Sequence, residues 1–448
     1  MKNNDLTQGS IWKKLFIYFL PIAAGTLFQQ LYSTVDAIIV GKFVGTEALA
    51  AVGGSPYMIS GVLIGFFTSL ASGASVIIAQ HYGAKDKKRL SKEIHTSMTF
   101  CFIVGILLGI IVIAIAPQLL RLLKTPEDTM ADALIYTRIY FTGTVLMLVF
   151  NMASGILRAM GDSRRPFIYL LVSCAVNIVL DLYFVINLKM GVAGAAWATV
   201  IAQAVSCVMA VCDMYMHKEY PLRFKKLGID IHALANMMRI GIPSGIQTSI
   251  YNVSGTILQV AVNTLGTVVV ASWSMASKLD GVYWAISSAF GAAIMNFIGQ
   301  NYGAAFYDRI KKAVSISIRL FSVLTVVLCA LILIISGPAL GIIQDDPAVT
   351  ETTMKILLYI VPFYPLWTII EIYSGVLRGV GDAIKPSVII GLGVGLFRVI
   401  WVITAFQFAP TLFTICICYP ISWGITGISL LIYYYKKSDF AKKLKTNE

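Results

Sequence analysis

The chain has 448 residues, of which 58% are hydrophobic and only 13% are charged, and its formal net charge is +13. A soluble domain carries roughly 25% charged residues, so the composition excludes an ordinary soluble protein. The basic residues lie between apolar runs and not on one face of a domain. The positive charge therefore indicates lipid headgroups and membrane topology, and not nucleic acid.

Apolar runs of about 20 residues, long enough to cross a bilayer as helices, recur along the chain between short charged loops. In the first half they predict membrane spans at about 14–40, 52–80, 94–117, 133–157, 167–188 and 191–214. In the second half they predict spans at about 237–262, 271–299, 313–336, 355–378, 387–408 and 411–435. The predicted fold class is an all-α integral membrane protein with 12 transmembrane helices.

One twelve-residue stretch occurs twice, as GILRAMGDSRRP from Gly155 to Pro166 and as GVLRGVGDAIKP from Gly375 to Pro386. Gly, Leu, Arg, Gly, Asp and Pro recur in register, and other matches keep nearly the same offset. A repeat of this length indicates two similar halves. We predict an N-terminal six-helix bundle at 1–214, a cytoplasmic linker at 215–236 and a C-terminal six-helix bundle at 237–448. Since six spans are an even number, the repeats are parallel, and we expect a central cavity between them.

The lysines and arginines are distributed unequally between alternate loops. With the N-terminus inside, the basic clusters at 85–92, 164–165, 218–226, 309–312 and 436–445 all become cytoplasmic. The positive-inside rule therefore predicts a multi-pass protein of the cell membrane with both termini in the cytoplasm.

Charged residues inside a membrane are costly and usually functional. Asp36 and Asp181 are both predicted in the outer half of their spans, and Asn177, Tyr136 and Thr199 lie at the same depth. Two carboxyl groups with three neutral hydrogen-bonding groups could bind Na⁺ through their oxygen atoms. The two carboxyl groups could equally share a proton. A structural hydrogen-bond cluster is the alternative interpretation.

The second half has a different set of polar residues. Asp280 and Lys278 lie about two turns into the eighth span, Glu371 lies in the tenth, and Gln247 lies in the seventh. These four residues could line a substrate cavity, or they could neutralise charge between the bundles, and both interpretations are open. Pro21 interrupts the first span, where a proline allows a kink.

Sites for other cofactors are not indicated. The seven cysteines lie in apolar segments without zinc spacing, and the four histidines lie in or beside loops. The chain contains no phosphate-binding loop of the G-x-x-x-x-G-K-[ST] type. Active transport would therefore depend on an ion gradient, with Na⁺ or H⁺ as the coupling ion.

The duplicated G-x-L-R-x-x-G-D-x-x-x-P turns, Val35-Asp36 and the spacing from Asn177 to Asp181 resemble the multidrug and toxic compound extrusion (MATE) family over nearly the whole chain. The acid pair is most similar to the DinF-like branch. The resemblance implies a cation-coupled antiporter that exports organic, cationic drugs or toxins. The implied cation site contains Asp36, Asn177, Asp181, Tyr136 and Thr199. Asp36, Asn177 and Asp181 would hold the metal if Na⁺ is the coupling ion, and Pro21 would mark the hinge.

Two alternatives stay open at this point. Lys278, Arg138 and Arg398 are basic residues within or near spans, as in a flippase for lipid-linked saccharides of the same superfamily. An intramembrane enzyme would need a nucleophile and a base that converge, and the sequence indicates no such set. The expected partners are small organic substrates and the lipid bilayer, with no nucleic acid, and we expect a monomer.

Overall fold

A computed structural model describes residues 5–217, 221–343, 346–438 and 440, in which every regular element is a helix. The first half contains α1 (Ile11–Phe43), α2 (Thr46–Gly53), α3 (Ser55–Gly83), α4 (Lys87–Leu122), α5 (Glu127–Thr142), α6 (Thr144–Ala159), α7 (Arg164–Asp181) and α8 (Gly191–Met216). The second half contains α9 (Ile231–Asn263), α10 (Thr267–Gly303), α11 (Tyr307–Ile343), α12 (Pro347–Ile360), α13 (Tyr364–Gly379), α14 (Ile384–Ile390), α15 (Phe397–Ile403), α16 (Ala405–Phe408) and α17 (Leu412–Ile432). The all-helical fold class is thereby confirmed.

The chain folds into two compact units. The first contains Tyr18–Gly245, and the second contains Leu6–Ile17 and the chain from Ile246 onward. In the first unit α6 packs between α3, α4 and α8, and α7 packs along α8. In the second, α13 packs against α10, α11 and α17. The change of unit falls within α9, and the domain limits 1–214, 215–236 and 237–448 stay a prediction.

The two halves repeat their helices as well as their residues. α1 and α9 both have 33 residues and begin 220 residues apart, at Ile11 and Ile231. The turns also repeat, because Lys85 and Ala305 both have positive φ, at 58° and 57°. These are uncommon conformations for residues with a side chain, so their recurrence at one offset indicates a duplicated backbone.

The duplicated twelve-residue stretch forms the turn from α6 to α7 and the turn from α13 to α14. Gly161 and Gly381 have φ of 90° and 94°, a region that glycine adopts without strain. A Cβ atom on Gly155 would lie 2.6 Å from Ser75 Oγ, and one on Gly375 would lie 2.7 Å from Ile294 Cγ2. The motif therefore contains two kinds of glycine, one for close helix packing and one for the turn.

One of the twelve predicted spans is less apolar than the others, and its composition explains why. Eleven segments among the described residues are long and apolar enough to cross a membrane, if α5 and α6, bent by 47° at Gly143, count as one. α9, which contains the predicted seventh span at 237–262, is not among them. It has the length of α1, but polar residues such as Gln247, Asn252 and Gln259 lower its mean hydropathy.

Close packing of α4 on α6 gives a prediction about stability. A Cβ atom on Gly105 would lie 2.6 Å from the Cα atom of Val145, whereas Gly61 has open space around it. We expect Gly105→Ala to destabilise the protein by about 1–3 kcal/mol, because backbone atoms cannot move aside as a side chain does. Gly61→Ala should stabilise it, by up to about 1 kcal/mol, through helix propensity.

The measurement is the thermal unfolding temperature of each purified variant in the same detergent. Gly61→Ala is the matched control, since it makes the same change in a helix of the same unit. An unfolding temperature for Gly105→Ala equal to or above that of the parent would contradict the packing described here.

Candidate functional site

Two acidic side chains on different helices face each other in the first unit. Asp36 lies on α1 and Asp181 is the last residue of α7. Their carboxyl groups are within hydrogen-bonding distance of each other. Asp181 is completely buried and Asp36 is partly buried. The structure therefore brings together the two acids that the sequence predicted at one depth.

The backbone changes its winding at this point. After Asp181 the helix continues as a wider π-helical turn, Leu182–Asn187. A π-helical turn exchanges i→i−4 hydrogen bonds for i→i−5 ones and is frequent at functional sites. The second acid thus lies where α7 ends and the winding widens.

Several polar atoms of this cluster are buried without a hydrogen-bond partner in the described part of the chain. They are both side-chain oxygens of Asp181, one oxygen of Asp36, and the side-chain oxygen and nitrogen of Asn177. Two facing carboxylates have no proton to donate to each other, so proximity alone does not pair them. An unpaired buried polar atom costs roughly 1–3 kcal/mol. A shared proton or a Na⁺ ion would satisfy the carboxyl oxygens, so the donor set fits either one.

Tyr136 and Thr199 complete the predicted set. Tyr136 is buried and lies within electrostatic range of both carboxyl groups. It packs in an apolar cluster with Val40 and Ala195. The Thr199 hydroxyl donates to the Ala195 carbonyl at 3.1 Å, which leaves its oxygen able to accept a hydrogen bond or bind a cation.

Three further polar residues at this site were not predicted from the sequence. Tyr32 and Tyr140 both interact electrostatically with Asp36. Tyr140 also stacks on Tyr136 at 5.7 Å between ring centroids and hydrogen-bonds with Gln203. Each lies four residues from a residue that was predicted: 32 from 36, 140 from 136 and 203 from 199. Residues four apart share a helix face, and that spacing was the available signal.

A cavity of about 360 Å³ lies within the first unit and includes part of this cluster. Asn177, Thr199 and Tyr32 line it together with Arg158 and Pro21. It follows α7 from Pro166 to Asn177, which is roughly 16 Å of helix. Polar side chains, including those of Gln29, Asn151 and Gln203, line much of its wall. The cavity therefore joins two predicted site residues to the predicted hinge.

Pro21 lies inside α1, which the structure describes as one helix from Ile11 to Phe43. A proline in a helix removes one backbone hydrogen bond and makes bending easier. Its repeat counterpart, Pro243, lies inside α9. The hinge role of Pro21 stays a prediction.

In the second unit the acids have neighbours of their own. The Asp280 carboxylate accepts a hydrogen bond from the Tyr364 hydroxyl at 2.8 Å and one from Trp284 Nε1 at 3.3 Å. These rings belong to an aromatic cluster that also contains Trp367 and Trp423. Asp280 is therefore stabilised by neutral donors, unlike the acid pair of the first unit.

The other predicted second-half residues are not gathered around Asp280. Gln247 accepts a hydrogen bond from the Arg378 guanidinium at 2.9 Å, and Glu371 lies within electrostatic range of Arg378. Lys278 is exposed and forms no ion pair with any described residue. Arg398 is buried, with its guanidinium 4.0 Å from the ring centre of Tyr419. A substrate-binding role for Asp280, Glu371, Lys278 and Gln247 stays a prediction.

Known proteins similar to this chain are membrane transporters. It is 28% identical to "Probable multidrug resistance protein YoeA" of Bacillus subtilis (strain 168), over 98% of this chain and 96% of that protein. It is 22% identical to "Multidrug export protein MepA" of Staphylococcus aureus (strain MRSA252), over 90% of each chain.

Solved structures share the fold. One, described as the outward-facing conformation of a multidrug resistance MATE family transporter of the MOP superfamily, matches with a TM-score of 0.90 at 21% identity, over 100% of this chain and 99% of that chain. A MOP superfamily transporter from Pyrococcus furiosus, described by the reverse polarity of its binding pocket, matches with a TM-score of 0.88 at 22% identity, over 97% of each chain.

The family model named MatE matches residues 21–183 and 243–404, one match in each half. The two matched segments together cover more than half of the chain, and their positions reproduce the repeat found in the sequence. Membership of a transporter family decides against the intramembrane enzyme, while the DinF-like branch stays a prediction. The chain belongs to the MatE family and is a MATE family transporter.

Proposed function

We propose that this protein is a cation-coupled antiporter that exports organic, cationic drugs or toxins from the cell by alternating access. The coupling ion, Na⁺ or H⁺, binds at Asp36 and Asp181. Asn177, Tyr136 and Thr199 complete the site.

The observation that carries the proposal is the buried contact between the two carboxyl groups. Two close carboxyl groups in a poorly solvated site cannot both stay ionised cheaply. A proton relieves their repulsion directly, and Na⁺ relieves it with help from neutral oxygens such as those of Asn177 and Thr199. Four of the five unpaired buried polar atoms are oxygens, and these oxygens give the ion groups to bind.

The substrate class is supported by the relatives, which are described as multidrug resistance and multidrug export proteins. A protein that takes varied organic cations needs polarisable and aromatic surfaces more than fixed hydrogen-bond partners, since cations bind favourably to aromatic rings. Tyr32 and Tyr140 line the first-unit cavity and have aromatic faces of this kind.

Coupling requires that the ion bind one conformation more tightly than the other, because equal binding shifts no equilibrium. Pro21 and the site residue Asn177 line the same cavity. A change in the separation of Asp36 and Asp181 is therefore transmitted along α1 towards Pro21, 15 residues away or roughly 22 Å. Bending of α1 at Pro21 would give the cavity a different shape in the ion-bound and ion-free states.

The acid pair gives a prediction about transport. Asp36→Asn and Asp181→Asn should each reduce gradient-driven export at least tenfold, because an amide cannot exchange a proton or offer a negative charge to Na⁺. Both variants should stay folded, since a neutral amide is cheaper to bury than a carboxylate. Uptake of a fluorescent organic cation into inverted vesicles, with a Na⁺ or H⁺ gradient imposed separately, measures the effect.

Asp128→Asn is the matched control, because Asp128 is an exposed acid in the first turn of α5. It should transport like the parent at equal expression. Parental transport by both site variants would remove the coupling role of the pair. The same vesicles test the alternative that the protein is a flippase. Movement of a lipid-linked saccharide without an ion gradient, and without uptake of organic cations, would favour the flippase.

The position of Pro21 gives a prediction about coupling. Pro21→Ala should weaken ion-dependent efflux more than Pro243→Ala, because only Pro21 lies on the helix that carries Asp36. Both variants remove a proline from the interior of a 33-residue helix, so each is a control for the other. Efflux rates are compared with and without the ion gradient. Equal losses from the two substitutions would leave the hinge without support.

A further inference from the structure

The segment between the two repeats is attached to the first turns of α4. Leu222 is buried in the main apolar cluster of the first unit, which also contains Leu90 and Ile94. The Arg223 backbone N–H donates to His95 Nε2 at 3.0 Å. The N–H groups of Gly228 and Asp230 donate to the hydroxyls of Thr99 and Thr96, both at 3.1 Å. The described part of this segment is therefore held in place by α4.

Between this segment and α4 lies an open pocket of about 690 Å³. Four lysines line it: Lys87, Lys88 and Lys92 from the first turns of α4, and Lys226 from a short 3₁₀ turn of the segment. Ser91 and Thr96, which carry hydroxyl groups, also line it, as does Asp230. The combination of ammonium and hydroxyl donors suits a phosphate group.

One lysine of the four is already neutralised. Lys92 Nζ lies 2.8 Å from the Asp230 carboxylate, and the pKa of Asp230 is lowered to about 2 by this hydrogen bond and by the Ala233 N–H. Asp230 thus stays ionised and paired at neutral pH. Lys87, Lys88 and Lys226 are exposed and form no ion pair with any residue that the structure describes. Three positive charges in the pocket are therefore uncompensated.

Apolar side chains beside the lysines indicate what kind of molecule reaches the pocket. The segment exposes Phe224, Leu227 and Ile229, which are 58%, 41% and 47% exposed, and Ile229 itself lines the pocket. On α4, exposed apolar side chains begin at Phe102, which is 55% exposed, roughly three turns after Lys92. Exposed apolar residues interleaved with lysines are typical of a segment at the level of the lipid headgroups.

We propose that this pocket, formed by α4 and the segment between the repeats, binds the phosphate of an anionic phospholipid in the leaflet on the lysine-rich side of the membrane. The three unpaired lysines contact the headgroup, and the exposed apolar side chains of the segment contact its acyl chains. A lipid bound there ties the connection between the repeats to α4. The site is separate from the ion site and does not depend on the proposed coupling mechanism.

The experiment measures thermal unfolding of the full-length protein in detergent while lipid is added. Phosphatidylglycerol should raise the unfolding temperature with a saturating dose dependence. Phosphatidylcholine with the same acyl chains, and inorganic phosphate, should not. A triple variant combines Lys87→Gln, Lys88→Gln and Lys226→Gln. It should need at least tenfold more phosphatidylglycerol than the parent for the same rise in unfolding temperature.

The matched control combines Lys225→Gln, Lys436→Gln and Lys437→Gln, which removes the same charge from exposed lysines that do not line the pocket. It should respond to phosphatidylglycerol within twofold of the parent. Without lipid, the unfolding temperatures of both variants should match that of the parent, since all six side chains are exposed. Equal stabilisation by the two lipids, an equal loss in both variants, or stabilisation by inorganic phosphate alone would each overturn the proposal.

Discussion

Asp36 and Asp181 place two carboxyl groups against each other in a largely buried part of the first unit, and the proposed ion coupling depends on that contact. Charges of the same sign at this distance repel strongly, and desolvation adds to the cost of ionising both. Such a pair is stable only when it shares a proton or a cation, so its state depends on the ions available. That dependence is what an ion-driven transporter requires: a site whose preferred packing differs with and without the ion.

Duplication produced similar backbones but different chemistry in the two halves. The glycine turns and the lengths of α1 and α9 recur at an offset of 220 residues. In the second unit, however, Asp280 is stabilised by hydrogen bonds from Tyr364 and Trp284. A carboxylate with neutral donors is already satisfied and gains less from binding an ion. The asymmetry favours the first unit as the place of ion coupling.

The sequence was informative where local chemistry decides the structure. The apolar runs predicted the helices, and the repeated Gly-Asp turns predicted the two halves, because glycine at positive φ and proline in a first turn have few alternatives. Asn177 and Asp181 could be placed on one face from their spacing alone. Tyr32, Tyr140 and Gln203 share helix faces with predicted site residues, but they were not predicted, because the extent of the site along each face depends on packing between helices. The lysine pocket also escaped prediction, since it needs the segment after α8 to fold back on α4.

In the proposed mechanism, Asp36 and Asp181 bind one ion together and do not bind two ions separately. The most direct test is to count the bound ions. Equilibrium binding of radioactive Na⁺ counts sodium ions, and the number of protons released from the purified protein when substrate is added counts protons. We expect one bound ion for each protein molecule in the parent and none in either Asp36→Asn or Asp181→Asn. Two ions in the parent with one left in each variant, or full binding in either variant, would contradict it.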